Sequence, residues 1–128
     1  MDLMEGILWL ALNIYFEARN QPVKGQYAVA HVTLNRAAQD NKSIKEVVLE
    51  PGQFSWVKNK HRNMRASKIY VGEKDAFGKA VQIALSAYVT PDPTNGATHY
   101  HASYVRPKWA SKLKRKTKIG QHIFYAVN

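Results

Sequence analysis

Leu3-Met4-Glu5-Gly6-Ile7-Leu8-Trp9-Leu10-Ala11-Leu12-Asn13-Ile14-Tyr15-Phe16-Glu17-Ala18 decides how this chain folds. Leu3, Ile7, Leu10 and Ile14 recur at helical spacing on one stripe. The other faces are largely apolar too, so the pattern predicts a buried helix over 3–18. Glu17 lies seven residues after Leu10 and prolongs the stripe. A carboxylate at the end of a buried helix loses solvent, which raises its pKa. The same stretch does not read as a secretory leader. Nothing basic precedes it, Asp2 and Glu5 do, and Asn13 and Glu17 interrupt its apolar run. It is also too short to span a bilayer. The expectation is a chain without a classical signal peptide; to act outside a cytoplasm it would need another route of delivery.

Working outward, Pro22 suits the start of a second helix running to about Ala38, with Tyr27, Ala30, Leu34 and Ala37 inward and Arg36 favourable for the dipole at its end. Ser43 and Glu46 form a capping box for a short helix over 43–50, stopped by Pro51-Gly52. Residues 51–72 read as irregular and basic. A further helix is predicted over 73–89, with Phe77, Ala80, Val81, Ala84, Leu85 and Tyr88 inward. The cluster Pro91-Asp92-Pro93-Thr94-Asn95-Gly96 ends it. Ala97–Ala102 and Ile119–Val127 then read as strands, rich in β-branched and aromatic residues. The basic segment Arg106–Lys118 lies between them, with one turn of helix around Trp109. Helices first and a small antiparallel sheet last make an α+β fold in one domain, residues 1–128.

Composition narrows the chemistry. The chain has 128 residues and no cysteine, which excludes disulfides, thiolate zinc sites and cysteine nucleophiles. Nineteen Lys and Arg against nine acids give a net charge of +10, which implies an anionic partner: nucleic acid, a membrane surface or an anionic cell wall.

The motifs choose among these. Tyr15-Phe16-Glu17-Ala18-Arg19 is followed by Gly25-Gln26, Leu34-Asn35-Arg36, and Pro51-Gly52-Gln53-Phe54-Ser55. Asp92-Pro93-Thr94 with Gly96-Ala97, Thr98-His99-Tyr100, and Ile119-Gly120-Gln121-His122-Ile123-Phe124-Tyr125 come after. In this order, and over nearly the whole chain, they resemble the cell-wall hydrolase family typified by the spore cortex-lytic enzyme catalytic domain. One departure is visible: Asn20-Gln21 stands where members of the family often have Gly-Glu, removing an acidic group near the site. The resemblance implies a lysozyme-like α+β fold and cleavage of peptidoglycan between N-acetylmuramic acid and N-acetylglucosamine. It also implies lytic transglycosylation, in which one glutamate protonates the glycosidic oxygen and then takes the proton of the muramyl C6 hydroxyl. Glu17 inherits that role, and Tyr100, by its position, reaches the cleft.

The residues agree with this role. Glycoside cleavage needs an acid still protonated near neutral pH. Hydrolysis usually needs a second carboxylate within roughly 5–10 Å. Glu50, just before the Pro-Gly-Gln-Phe-Ser loop, is the best candidate, but sequence does not bring it to Glu17, and a one-glutamate mechanism is favoured over a muramidase-type hydrolase. Gln53, Phe54, Ser55 and Trp56 suit a sugar-lining loop, since aromatic faces beside amides fit sugar rings. The alternative is a loop that packs its own aromatics. His99 and His101 share one strand face but are too few for a metal site, and neither metal nor cofactor is expected. His122 reads as a structural hydrogen-bonding residue. The Lys108–Lys118 run reads as a solvated basic face, or one that meets the anionic cell envelope.

The expected partners are peptidoglycan glycan strands, engaged by a monomer. Such a small basic chain resembles a bacteriophage lysis enzyme, made in the cytoplasm of an infected bacterium and acting on its wall. Two competitors remain at this level. A nucleic-acid-binding module is supported by basic residues interleaved with Trp56, Tyr104 and Trp109 but carries no recognised binding motif. An inactive wall-binding domain is opposed by the retained Glu17.

Overall fold

In the computed structural model, residues 3–50, 54, 56–57 and 74–127 are described. Helix α1 (Leu3–Ala18) follows the apolar stripe. Its Ile7, Leu10, Ala11, Ile14 and Tyr15 are buried against Ala80, Ile83, Ala84 and Ala87 of helix α4 (Lys74–Ala87). The helix is not apolar-covered all round, as its composition predicts: Leu3 is 66% and Leu8 46% exposed.

Helix α2 (Val23–Asp40) is the polar-looking helix that nevertheless runs through the centre. Gln26, His31, Thr33 and Arg36 are all buried. Each has a partner: Gln26 Nε2 donates to the Gln21 carbonyl (3.0 Å), His31 Nε2 lies 3.5 Å from Thr90 Oγ1, Thr33 Oγ1 accepts from Asn13 Nδ2 (3.3 Å), and Arg36 reaches Glu50 (3.4 Å). Most buried polar groups are bonded in this way, because leaving one unpaired costs free energy. Pro22 stays extended (ψ 157°) and lies one residue outside the helix. Arg36 is held by Glu50 rather than left at the helix end, so its pairing, not the helix dipole, explains its place. Helix α3 (Ile44–Val48) carries both bonds of the predicted capping box.

Along α4 the buried stripe is rotated from the expected one. Ile83 and Ala87 point inward, while Leu85 and Tyr88 are 51% and 44% exposed. The alanines decide this, because their small side chains let α4 approach α1 closely.

Among the described residues the sheet has three strands, not two. Strands β1 (His99–Ala102), β2 (Lys114–Ile119) and β3 (His122–Ala126) pair antiparallel in the order β1-β3-β2. The expected single strand over 119–127 is broken at Gly120, whose φ of +59° makes the tight turn between β2 and β3. β2 is the part of the basic segment that reads as a charged face. Its Lys and Arg residues sit on an edge strand, where charge discourages pairing with other chains. The expected helical turn at Trp109 is present as a 3-10 helix, Lys108–Lys112.

The two faces of the sheet have different fates. Phe124 and Ile119 join Ala28, Val29 and Val32 of α2 in a second core, with Tyr100 packed against it. His99, His101 and Tyr125 face the other way and meet the Trp109 ring at 5.4, 5.6 and 5.4 Å. Between α4 and β1, Asp92 ties the turn. Its Oδ1 accepts from the Thr94 amide (2.8 Å) and hydroxyl (2.7 Å), and its Oδ2 from Asn35 Nδ2 (2.9 Å) and the Gly96 amide (2.9 Å). Asn35 also donates to the Ala97 carbonyl (2.9 Å), so α2 fixes where β1 begins. No described helix is long and apolar enough to cross a membrane.

Candidate active site

The α1 stripe delivers Glu17 to the last turn of the helix, and the inner face of β1 delivers Tyr100 to it. The Tyr100 hydroxyl donates to Glu17 Oε1. Burial raises the Glu17 pKa above the ordinary carboxyl value, against the opposing pull of that hydrogen bond. Burial, and then the neighbouring Glu17, push the Tyr100 phenol well above its ordinary value, so it remains a proton-bearing donor. Glu17 opens on two hollows. One, of about 480 Å³, is lined by Glu17, Arg36, Phe54, His99, Tyr100 and Trp109 among others. The second, of about 190 Å³, has Phe16, Glu17, Asn20, Gln21, Tyr104 and His122 in its walls. A carboxyl between two hollows is placed as a proton donor to a bond that spans them.

Of the residues expected from sequence, Glu17, Tyr100 and Phe54 come together. Phe54 is buried, with its ring 6.5 Å from that of Tyr100. Gln53 and Ser55 lie outside the described residues. Trp56 is placed otherwise: its ring stacks on Phe16 at 4.7 Å and its Nε1 donates to Asn13 Oδ1 (2.9 Å). It is not among the residues lining either hollow, and this placement anchors it on α1. Asn13, which looks like an interruption of the apolar run, is the fully buried post that holds it.

Glu50, the candidate second carboxylate, pairs with Arg36 (3.4 Å) and Lys42 (3.7 Å) and lines neither hollow. Its role in this geometry is to hold Arg36, whose side chain forms part of the larger cavity. Among the described residues, Glu17 is the only acid in the walls of either hollow. His99 has one ring nitrogen engaged and His101 both. His99 Nδ1 lies 2.9 Å from Thr98 Oγ1, and His101 spans the Ala102 carbonyl (2.7 Å) and the Tyr125 hydroxyl (2.9 Å). His122 does not make the expected bond at Nδ1, which is buried without a hydrogen-bond partner; ring contacts with Tyr100 and Phe124 hold it instead. Burial lowers its pKa, which keeps the imidazole neutral. At the departure from the family pattern, Gln21 Oε1 accepts from the Gln121 amide (2.9 Å), so this amide side chain ties the start of α2 to the β2–β3 turn.

A model of the cell wall hydrolase family matches residues 20–125. The chain belongs to that family. Over 118 residues, 90% of this chain, it is 33% identical to the spore cortex-lytic enzyme of Bacillus cereus, and 30% identical to that of Bacillus subtilis. The coverage is wide enough that Glu17 falls within both alignments. The chain spans only 42% and 35% of the length of these two relatives. Its match to solved domains is nearly end to end. The catalytic domain of the germination-specific lytic transglycosylase SleB from Bacillus anthracis superposes with a TM-score of 0.73 at 27% identity, covering 97% of this chain and 96% of that one. The SleB catalytic domain of Bacillus cereus gives 0.66 at 28% identity, covering 94% and 90%. This cell wall hydrolase therefore has the fold of those catalytic domains. Of the residues in the family motifs quoted above, Asn35, Asp92 and Gly120 are tied into the scaffold, while Glu17 and Tyr100 meet at the wall of the larger hollow.

Proposed function

We propose that this cell wall hydrolase cleaves the glycan strands of peptidoglycan between N-acetylmuramic acid and N-acetylglucosamine as a lytic transglycosylase. The observation that carries the reading is a single desolvated carboxyl, Glu17, between two hollows with no second acid in their described walls. Protonated Glu17 gives its proton to the glycosidic oxygen as the C1–O bond breaks. The muramyl C6 hydroxyl closes on C1, and the Glu17 carboxylate takes up the hydroxyl proton. The acid is restored, and the muramyl end leaves as a 1,6-anhydro ring. Tyr100 holds the carboxyl in place throughout, and Phe54 offers an aromatic edge to a sugar ring. Digestion in heavy-oxygen water tests this. Muramyl ends are expected to carry no solvent label and to be about 18 Da lighter than reducing ends, by one water. Label at C1 in most new ends makes the enzyme a muramidase-type hydrolase.

The same proposal covers the setting: residues 1–128 as one catalytic domain, working as a monomer, made in the cytoplasm of an infected bacterium and lysing it from within as a phage endolysin does. Its partner is the wall, not nucleic acid, and the charge of +10 concentrates it on an anionic envelope. Clearing of permeabilised cells is expected to fall steeply with salt as the Debye length shrinks from about 30 Å at 0.01 M to about 8 Å at 0.15 M. Cleavage of a short neutral glycan is expected to change little. Replacing Lys112, Lys114, Lys116 and Lys118 with Gln is expected to mimic salt on cells and spare the fragment. Wild-type clearing by that variant at low salt removes the steering role from this segment.

A further inference from the structure

A third hollow, of about 420 Å³, lies on the outer face of the sheet and adjoins the larger cavity beside Glu17. The two share His101, Val105 and Pro107 as a common wall. Beyond that wall the groove is lined by Ser103, Arg106, Ser111, Arg115, Ile123 and Tyr125. Among the described residues no acid lines it, and neither Arg106 nor Arg115 is in an ion pair. Its floor is firm, because the Tyr125 ring stacks on that of His101 at 5.2 Å and the two side chains are hydrogen-bonded (2.9 Å). Neither arginine belongs to the motifs that carry the family resemblance.

We infer that this groove binds the acidic peptide stem that hangs from the muramyl sugar, with Arg106 and Arg115 taking its free carboxylates. The inference rests on the reading of the cleft as a glycan-cutting site. Three features argue for it. A sugar ring in the larger cavity has only the shared wall to cross before a substituent enters the groove. The first free carboxylate of a stem lies about two residues from the sugar, roughly 7 Å in extended chain, a reach that suits an adjoining hollow. Guanidinium groups bind carboxylates in paired, charge-assisted hydrogen bonds, while Ile123, Val105 and Pro107 offer apolar contact for the alanine methyls of a stem.

The test uses the full chain carrying Glu17→Gln, so that ligands are bound and not cut. A muramyl disaccharide bearing its stem peptide and the same disaccharide without it are titrated by calorimetry. The stem is expected to tighten binding about tenfold, and Arg106→Gln with Arg115→Gln to erase that gain while leaving the bare disaccharide unchanged. A charge-matched control, Lys114→Gln with Lys118→Gln, is expected to keep it. Converting the stem carboxylates to carboxamides is expected to abolish the gain. An equal affinity for both disaccharides overturns the proposal, as does a gain that survives loss of both arginines. So does a glycerol-phosphate oligomer that binds more tightly than the stem with the same arginine dependence, which would make the groove a site for phosphate polymers. Binding of the bare disaccharide reports on the cleft independently. If it binds and the stem adds nothing, the groove assignment fails alone; if neither ligand binds, the cleft reading fails and takes the groove with it.

Discussion

Glu17→Gln is expected to lower glycan cleavage by at least about a thousandfold while leaving the fold intact. The glutamine keeps the shape of the side chain and an oxygen to accept the Tyr100 hydroxyl, but it cannot give a proton to the glycosidic oxygen. Stability is expected to hold or rise. Burial lifts the folded-state pKa of Glu17 above its unfolded value, so the native state favours the protonated form. The stability from that form is fully present at low pH and is lost as pH rises through the raised value. The variant escapes that loss, and its melting temperature is expected to gain on wild type between acid and neutral pH. Activity should obey the same proton: kcat/KM of the wild type is expected to fall on the alkaline side of the raised pKa, where the acid has ionised. Wild-type clearing by Glu17→Gln would falsify the assignment of the acid.

Asp92→Ala is expected to cost about 3 kcal/mol, roughly 10 °C in melting temperature, with cleavage lost as the strand carrying Tyr100 slips. Its carboxylate accepts four hydrogen bonds, from Asn35, the Gly96 amide, and the amide and hydroxyl of Thr94. Removing it leaves donors in a half-buried turn with nothing to bond. Asp92→Asn should be little better, because an amide nitrogen at Oδ2 would face two other donors. Burial alone would raise the Asp92 pKa, but the bonds from Asn35, Thr94 and Gly96 together hold it below the ordinary value. A depressed carboxyl contributes stability that is present above its unfolded pKa, about 3.9, and is lost as pH falls through the folded one. The gap between wild type and Asp92→Ala should therefore be widest at neutral pH and narrow in acid. Denaturant titrations at several pH values measure it, and a gap independent of pH rules out the carboxylate as its source.

Where a residue's role follows from its own neighbours in sequence, the sequence was readable. The α1 stripe, the Ser43–Glu46 box and the turn at residues 91–96 are local patterns, and the structure has all three. Glu17 was legible because its place on the stripe already implied desolvation. Misreadings came where distant residues set the outcome. Trp56 looks like a sugar platform until Asn13 is found beneath it. Arg36 looks like a dipole cap until Glu50 is found beside it. β2 reads as a solvated run because an edge strand with lysines on it lacks the apolar alternation that marks a strand. Leu85 and Ile83 exchange places because the alanines of α4, not its largest residues, set the approach to α1. The walls contributed by His99, His101 and Trp109 required the sheet register, which no short-range pattern carries.

The order of the sheet also bears on biosynthesis. Glu17 is made about a hundred residues before β3, but Tyr100 reaches it from β1, and among the described residues β1 pairs only with β3 (His122–Ala126). The Gln21 side chain waits likewise for the Gln121 amide. A ribosome building this chain therefore exposes the acid long before the strand that orients it has a partner. The Glu17–Tyr100 pair forms only once β3 has been made and has zipped onto β1, which ties assembly of the pair to closure of the sheet.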